Sequence, residues 1–197
     1  MLAYCLNNPV CRIDPSGASS ILDWLEAFPD LFWALVADAL DMAGYGLTAT
    51  LLRYAAGGKN DRYYAKPGSN ASRLIASDEG FINEVHKNHM EKGKGQVPYT
   101  SSSESYEFPV TNGDLGAALH WVKYKYYVVF AQSSQKYLYF VRVTDTFNFT
   151  EIKNPLSQGS FKAGLLWLAN DIAAINQYIG ILDEVAVIID VGFAVSP

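Results

Sequence analysis

The sequence is short of cysteine, of histidine and of any surplus of basic charge. Its two cysteines, Cys5 and Cys11, both fall within the first dozen residues. A disulfide scaffold is therefore excluded, and a cysteine nucleophile would have to sit in the leader. With 15 Lys and Arg against 20 Asp and Glu, the net charge is −5. The chain as a whole lacks the cationic excess from which affinity for phosphates is built, so nucleic acid is disfavoured as a partner. There is no P-loop, no G-x-G-x-x-G, no G-x-S-x-G elbow, no H-E-x-x-H and no C-x-x-C, and no cofactor is implied. Residues 1–18 also lack the charged start and apolar run of a secretory signal.

What the sequence does hold is apolar and aromatic material. Half of its 197 residues are apolar and 14% are aromatic. A chain of this size buries roughly 70% of the surface that its unfolded form exposes, so it reads as one globular domain behind a short leader. The charge is uneven. Residues 1–57 carry two basic and six acidic groups, residues 58–107 seven of each, residues 108–162 six basic and three acidic, and residues 163–197 four acidic and none basic. Two acidic, apolar ends thus flank a mildly basic middle.

The periodicities imply an α+β fold: apolar helices first, a small antiparallel sheet around a central hairpin, then a C-terminal helix and strand. Ser19 or Ser20 can cap a helix from Ile21, and Pro29-Asp30 restarts it as first-turn residues. From there Asp30, Asp38, Asp41, Tyr45 and Thr48 form a narrow polar stripe on an apolar cylinder that ends at Gly57-Gly58. Lys59 to Asn70 reads as a loop. Ser77-Asp78-Glu79 starts a helix that runs to Lys92 and stops at Gly93, and Lys94 to Glu104 reads as an exposed loop. Asp114 to His120 suggests one or two helical turns. Trp121 to Gln132 and Gln135 to Phe149 alternate as strands on either side of Ser133-Ser134, which predicts a hairpin. Phe161 to Tyr178 has helical spacing, and the β-branched Val185 to Val195 is placed as a strand joining the hairpin.

Two constellations could carry chemistry. His86 and His89 stand three apart on one helix face, but a zinc site needs three or four ligands, and only His120 is left to complete it. Their neighbours, Lys87, Asn88, Glu91 and Lys92, suggest a solvated face, and no metal is assigned. The sharper candidate is His120, at a helix-to-strand junction, with Asp114 before it and Asp145 at the end of the hairpin. Asp145 interrupts a strand of large apolar residues, an expensive place for a charge unless it is paired. If Asp114 or Asp145 orients His120, the three form an acid–base centre. The structural alternative is that Asp114 caps a helix, His120 satisfies a buried hydrogen bond and Asp145 ends its strand.

The leader adds a different kind of signal. Tyr4-Cys5-Leu6-Asn7-Asn8-Pro9-Val10 and Ile13-Asp14-Pro15-Ser16-Gly17 each read as a turn. Together they resemble the end of the core of Rhs/YD-repeat proteins, where Asn8, Pro9, Asp14, Pro15 and Gly17 match the motif Y-x-x-N-N-P-x-x-x-x-D-P-x-G. The resemblance implies that residues 1–18 close a large β-shell and that residues 19–197 are the variable C-terminal effector. Such an effector is usually a toxin, carried in the shell of the parent chain, delivered to a competing bacterium and paired with a cognate immunity protein. Some members cleave themselves after a Leu following the D-P-x-G, and here that position is Ala18. Within the class, an enzyme centred on His120, Asp114 and Asp145 leads. A membrane-perturbing toxin is the rival, since Leu31 to Leu52 and Ala163 to Val185 are long enough to span a bilayer. Each of these segments carries two Asp, and each costs about 2.5 to 3.5 kcal/mol near a helix centre. A non-toxic binding module is the third reading.

Overall fold

The structure, a computed structural model, describes residues 29–57, 62–109, 111–148 and 182–197. The expectations for the junction motif, for the helix from Ile21 and for Phe161 to Tyr178 lie outside the described residues.

The chain enters as two helices, α1 (Pro29–Met42) and α2 (Gly46–Ala56). Sequence periodicity ran through this region unbroken, but Gly44 at φ +91° ends α1. Tyr45 N donates to Leu40 O at 2.9 Å and Gly44 N to Asp41 O at 3.0 Å, the paired bonds of a Schellman stop. The single cylinder expected from Leu31 to Leu52 is therefore two short helices. Among the described residues no helix is long and apolar enough to cross a membrane. The polar stripe becomes a hinge tie instead, with Arg53 of α2 donating to Asp38 of α1 at 2.7 Å.

Next come β1 (Arg62–Ala65), α3 (Asn70–Ala76), α4 (Glu79–Lys92), β2 (Tyr99–Thr100), β3 (Glu104–Glu107), α5 (Gly113–Ala118), β4 (Trp121–Ala131), β5 (Lys136–Phe147) and β6 (Val185–Val195). The fold is α+β, and helix α4 has the expected bounds. Its N-cap Asp78 accepts from Phe81 N at 2.7 Å, and Gly93 stands at its C-cap. The hairpin is likewise where alternation put it, and the last strand is where its β-branched run put it.

The sheet differs from expectation in size and in one edge. It has six strands in the order β1-β6-β5-β4-β2, with β3 also on β4. It is mixed, because β1 runs parallel to β6. β1 falls inside the segment read as a loop. Four residues with one buried side chain, Ala65, give no usable alternation, and the strand is specified by its long-range partner. Lys94 to Glu104 likewise contains β2 and the buried Ser101, whose hydroxyl accepts from Tyr126 N at 2.9 Å.

The core lies on one face of the sheet. Val122, Tyr124, Tyr126 and Val128 of β4 and Tyr139, Val141, Val143 and Phe147 of β5 are buried there, with Val187 and Ile189 of β6. Phe81 of α4 meets Tyr124 edge to face, with centroids 5.3 Å apart. The alternate residues of the same strands, Lys123, Lys125, Tyr127, Phe140 and Arg142, face solvent.

Candidate functional site

Two polar constellations flank the sheet. The first is at the open end of the hairpin, where β4 begins and β3 and β5 finish. His120 immediately precedes β4. Its Nδ1 lies 3.3 Å from Phe108 O, and a carbonyl can only accept, so the network assigns the neutral-ring proton to Nδ1. Nε2 is left on the exposed side, 3.6 Å from Glu107 Oε1. Glu107 is placed by register, paired with Trp121 across β3 and β4.

Asp145 is the other partner. It stands at an inward position of β5 between Val143 and Phe147, half-buried, and burial pushes its carboxyl up to about 6. The hydrogen bond from Thr146 N, at 2.8 Å, and the positive charge available on His120 hold it back from going higher. A carboxyl that titrates near 6 beside an imidazole open to solvent can both take and give a proton at physiological pH.

Asp114 is employed elsewhere. Its carboxylate accepts from Leu47 N at 2.7 Å, Thr48 N at 2.9 Å and Thr48 Oγ1 at 2.7 Å. The two amides are orphan donors at the start of α2, whose own N-cap, Tyr45, provides no side-chain capping bond. The expected trio therefore divides. Asp145 is electrostatically coupled to His120, Asp114 caps a remote helix, and Glu107, which carried no sequence signal of its own, takes the third place.

The second constellation lies between α4 and the sheet. Spacing correctly put His86 and His89 on one face, but that face is not solvated: His89 and Asn88 are buried. Tyr139 Oη is 2.7 Å from His86 Nδ1 and 2.9 Å from His89 Nδ1, and His89 Nε2 is 2.9 Å from Gln96 O. With both rings neutral, the acceptors fix the protons. Gln96 O requires a proton on His89 Nε2, so His89 Nδ1 accepts from Tyr139. The hydroxyl has no second proton, so His86 Nδ1 must donate to it. His86 Nε2 then carries the lone pair at a half-buried position.

Burial, and secondarily the nearby His89, push the His86 imidazole below its ordinary value. Alongside, Asn88 Nδ2 donates to Tyr124 Oη at 2.7 Å and to Glu84 Oε1 at 3.1 Å, and burial pushes the Tyr124 phenol up to about 12. Tyr139 was missed as a site residue because inward alternation marks it only as core. A buried tyrosine must find a partner for its hydroxyl, but nothing local says which. Among the described residues no three His, Cys, Asp or Glu gather as a metal would require.

No protein-family model, curated protein or solved structure matches the chain.

Proposed function

We propose that residues 19–197 are the C-terminal toxin effector of an Rhs-type polymorphic toxin and that residues 1–18 are the end of its core. The effector is delivered into a competing bacterium, acts there as an enzyme through proton transfer at His120 and Asp145, and is neutralised by a cognate immunity protein. The class rests on the leader string from Tyr4 to Gly17. The enzymatic mechanism rests on one arrangement: a carboxyl set inward among apolar residues of β5, Asp145, at the same end of the hairpin as His120, whose Nε2 is open to solvent and to Glu107; burial pushes that carboxyl up to about 6. In this reading His120 is the group that meets substrate, the Phe108 carbonyl orients its ring through Nδ1, Asp145 tunes its charge, and Glu107 stabilises the imidazolium once Nε2 has taken a proton.

The test is killing by the full chain in a cell without an immunity protein, comparing wild type with His120→Ala and Asp145→Asn. Each variant is first shown to melt cooperatively. Loss of killing in folded His120→Ala supports the enzyme, and undiminished killing removes it. Loss of membrane potential ahead of any metabolic change would favour the membrane-perturbing toxin.

A specific observation favours a second acid–base centre within the same class. The His86–Tyr139–His89 chain leaves the lone pair on Nε2 of the half-buried His86, with its tautomer fixed through Tyr139 and His89 by the Gln96 carbonyl. His86→Gln in the same assay separates the two centres.

A further inference from the structure

The solvent face of the sheet is unlike the rest of the molecule. Among the described residues nine large hydrophobic side chains are exposed, and four stand on this face: Trp121, Tyr127 and Phe140, at 59%, 43% and 54% exposure, and Tyr64 of β1, whose hydroxyl is bound to Asp190. Trp121 and Tyr127 share the outward register of β4, six residues apart, which is about 20 Å along a strand. Tyr127 pairs directly with Phe140 of β5, and their rings stack with centroids 6.4 Å apart and planes 29° from parallel. Phe140 pairs in turn with Gly192 of β6. A Cβ at Gly192 would meet nothing closer than a backbone oxygen at 3.9 Å, so the far side of the Phe140 ring faces open space where a side chain would otherwise stand. In a strand interior, a glycine of this kind often marks the close approach of another group.

Cations interleave with these rings. Lys123 and Lys125 lie between Trp121 and Tyr127 on β4, and Lys136 is on the same face of β5. Arg142 and Asp190 also face this side, but they are matched to each other by a bidentate pair at 2.7 and 2.9 Å. Within the described strands, the other carboxylate on this face is Glu107, at the end next to Trp121. Three lysines that no described carboxylate pairs thus sit among flat rings, in a chain whose overall charge is −5.

We propose that this face is a binding track for single-stranded nucleic acid. Unpaired bases stack on Trp121 and on the Tyr127–Phe140 pair, one base fills the space over Gly192, and Lys123, Lys125 and Lys136 meet phosphates. Base stacking on aromatic side chains tolerates any sequence, and the strand's charge supplies the complement to the lysines. A lipid surface fits less well, because it would have to cover the Arg142–Asp190 ion pair at the centre of the face. The track ends at Trp121, whose ring centroid is 6.3 Å from that of His120. As an assignment of substrate class the proposal rests on the acid–base reading of His120; as a binding site it does not. The overall acidity that disfavours nucleic acid describes the two ends of the chain, and not this face.

The experiment is fluorescence anisotropy of the full chain with a labelled RNA or DNA strand of about ten nucleotides. The same strand in duplex form, an acidic polypeptide and anionic vesicles serve as competitors. The expected results are binding of either single strand, competition by duplex at least tenfold weaker, and a log–log salt slope near −2, as three phosphate contacts to a single strand give. Phe140→Ala should weaken binding about tenfold or more, and Lys125→Gln should lower the salt slope by about 0.7. Gly192→Ile, which the open space above it tolerates, should weaken binding without altering the melting profile.

No binding at low salt would overturn the track. So would equal competition by duplex or acidic polypeptide, or vesicle binding that Phe140→Ala abolishes while strands are ignored. If no strand binds but His120→Ala still abolishes killing, the track falls and the enzyme stands. If strands bind and His120→Ala kills like wild type, the track stands and the enzyme falls.

Discussion

Asp114 and Thr48, 66 residues apart in sequence, are joined by two short hydrogen bonds, from Thr48 N at 2.9 Å and from Thr48 Oγ1 at 2.7 Å, both to Asp114 Oδ1. The other oxygen accepts from Leu47 N at 2.7 Å. A carboxylate on one short helix thus does for α2 what an N-cap residue would do, and it does so at the positive end of the helix dipole. Replacing it leaves two amides without an acceptor at the seam between α2 and α5. Asp114→Ala should therefore lower stability by about 2 kcal/mol, and Asp114→Asn, which keeps one acceptor oxygen, by about half as much. Urea denaturation at neutral pH measures both. If Asp114 acted on His120 instead, killing would fall in Asp114→Asn at temperatures where the fold is intact.

Asp145 gives a pH dependence of the less common sign. Its carboxyl is raised in the fold to about 6, against roughly 4 for an unfolded Asp. The native state therefore holds the proton more tightly, and the favourable contribution is fully present below about pH 4 and is lost as pH rises through 6. The shift corresponds to about 2 kcal/mol once solvent screening of a partly exposed group is allowed for. Asp145→Asn should be nearly neutral at pH 4 and stabilising by about 1 to 2 kcal/mol at pH 8. A variant that gains stability while losing killing would mark a residue retained for function at the expense of the fold.

The His86–Tyr139–His89 chain makes an opposite prediction on the same axis. His86 is held below its ordinary value, so the unfolded state binds its proton more readily, and stability falls as pH drops below about 6.5. Tyr139→Phe removes the shared hydroxyl and leaves the buried His89 Nδ1 without its partner. It should cost about 1 to 3 kcal/mol and free the His86 ring to change tautomer. Two-dimensional NMR of the imidazole nitrogens checks this directly: the wild-type His86 spectrum should show the proton on Nδ1, and that of Tyr139→Phe should not.

Most of what local pattern can carry was legible in the sequence. The Asp78 cap and the Gly93 stop bound α4, alternation located β4 and β5, because one face of each is buried, and a short β-branched run located β6. The features that escaped are those with a remote cause. β1 is four residues whose partner on β6 is more than a hundred positions away, and its parallel pairing has no turn to announce it. The break at Gly44 was hidden by apolar residues on both sides. At the candidate site, Asp145 stood out because a charge among apolar strand residues demands an explanation. Glu107 and Tyr139 did not stand out, since register alone brings one to His120 and the other to His86.

Asp190 completes the contrast with Asp145. The two carboxylates lie in the paired strands β5 and β6, yet their environments push them apart. Arg142 donates to both oxygens of Asp190, and Tyr64 Oη adds a third bond at 2.7 Å. The Arg142 hydrogen bonds, reinforced by Tyr64 and the Arg142 charge, hold Asp190 below its ordinary value against the opposing effect of burial. Its contribution is therefore present above the unfolded value near 4 and is lost as pH falls through the lower folded one. Arg142 is well exposed, which reduces the pair to about 0.5 to 1 kcal/mol, toward the upper end for bidentate geometry. At pH 7, Asp190→Asn should thus destabilise by about that amount while Asp145→Asn stabilises. Because Asp190 draws on exposed charge and Asp145 on burial, raising salt to about 1 M should shrink the first effect and leave the second nearly unchanged. Matched denaturation curves of the two variants at low and high salt decide it, and salt effects of equal size would mean that Asp145 is perturbed by neighbouring charge and not by its place in the core.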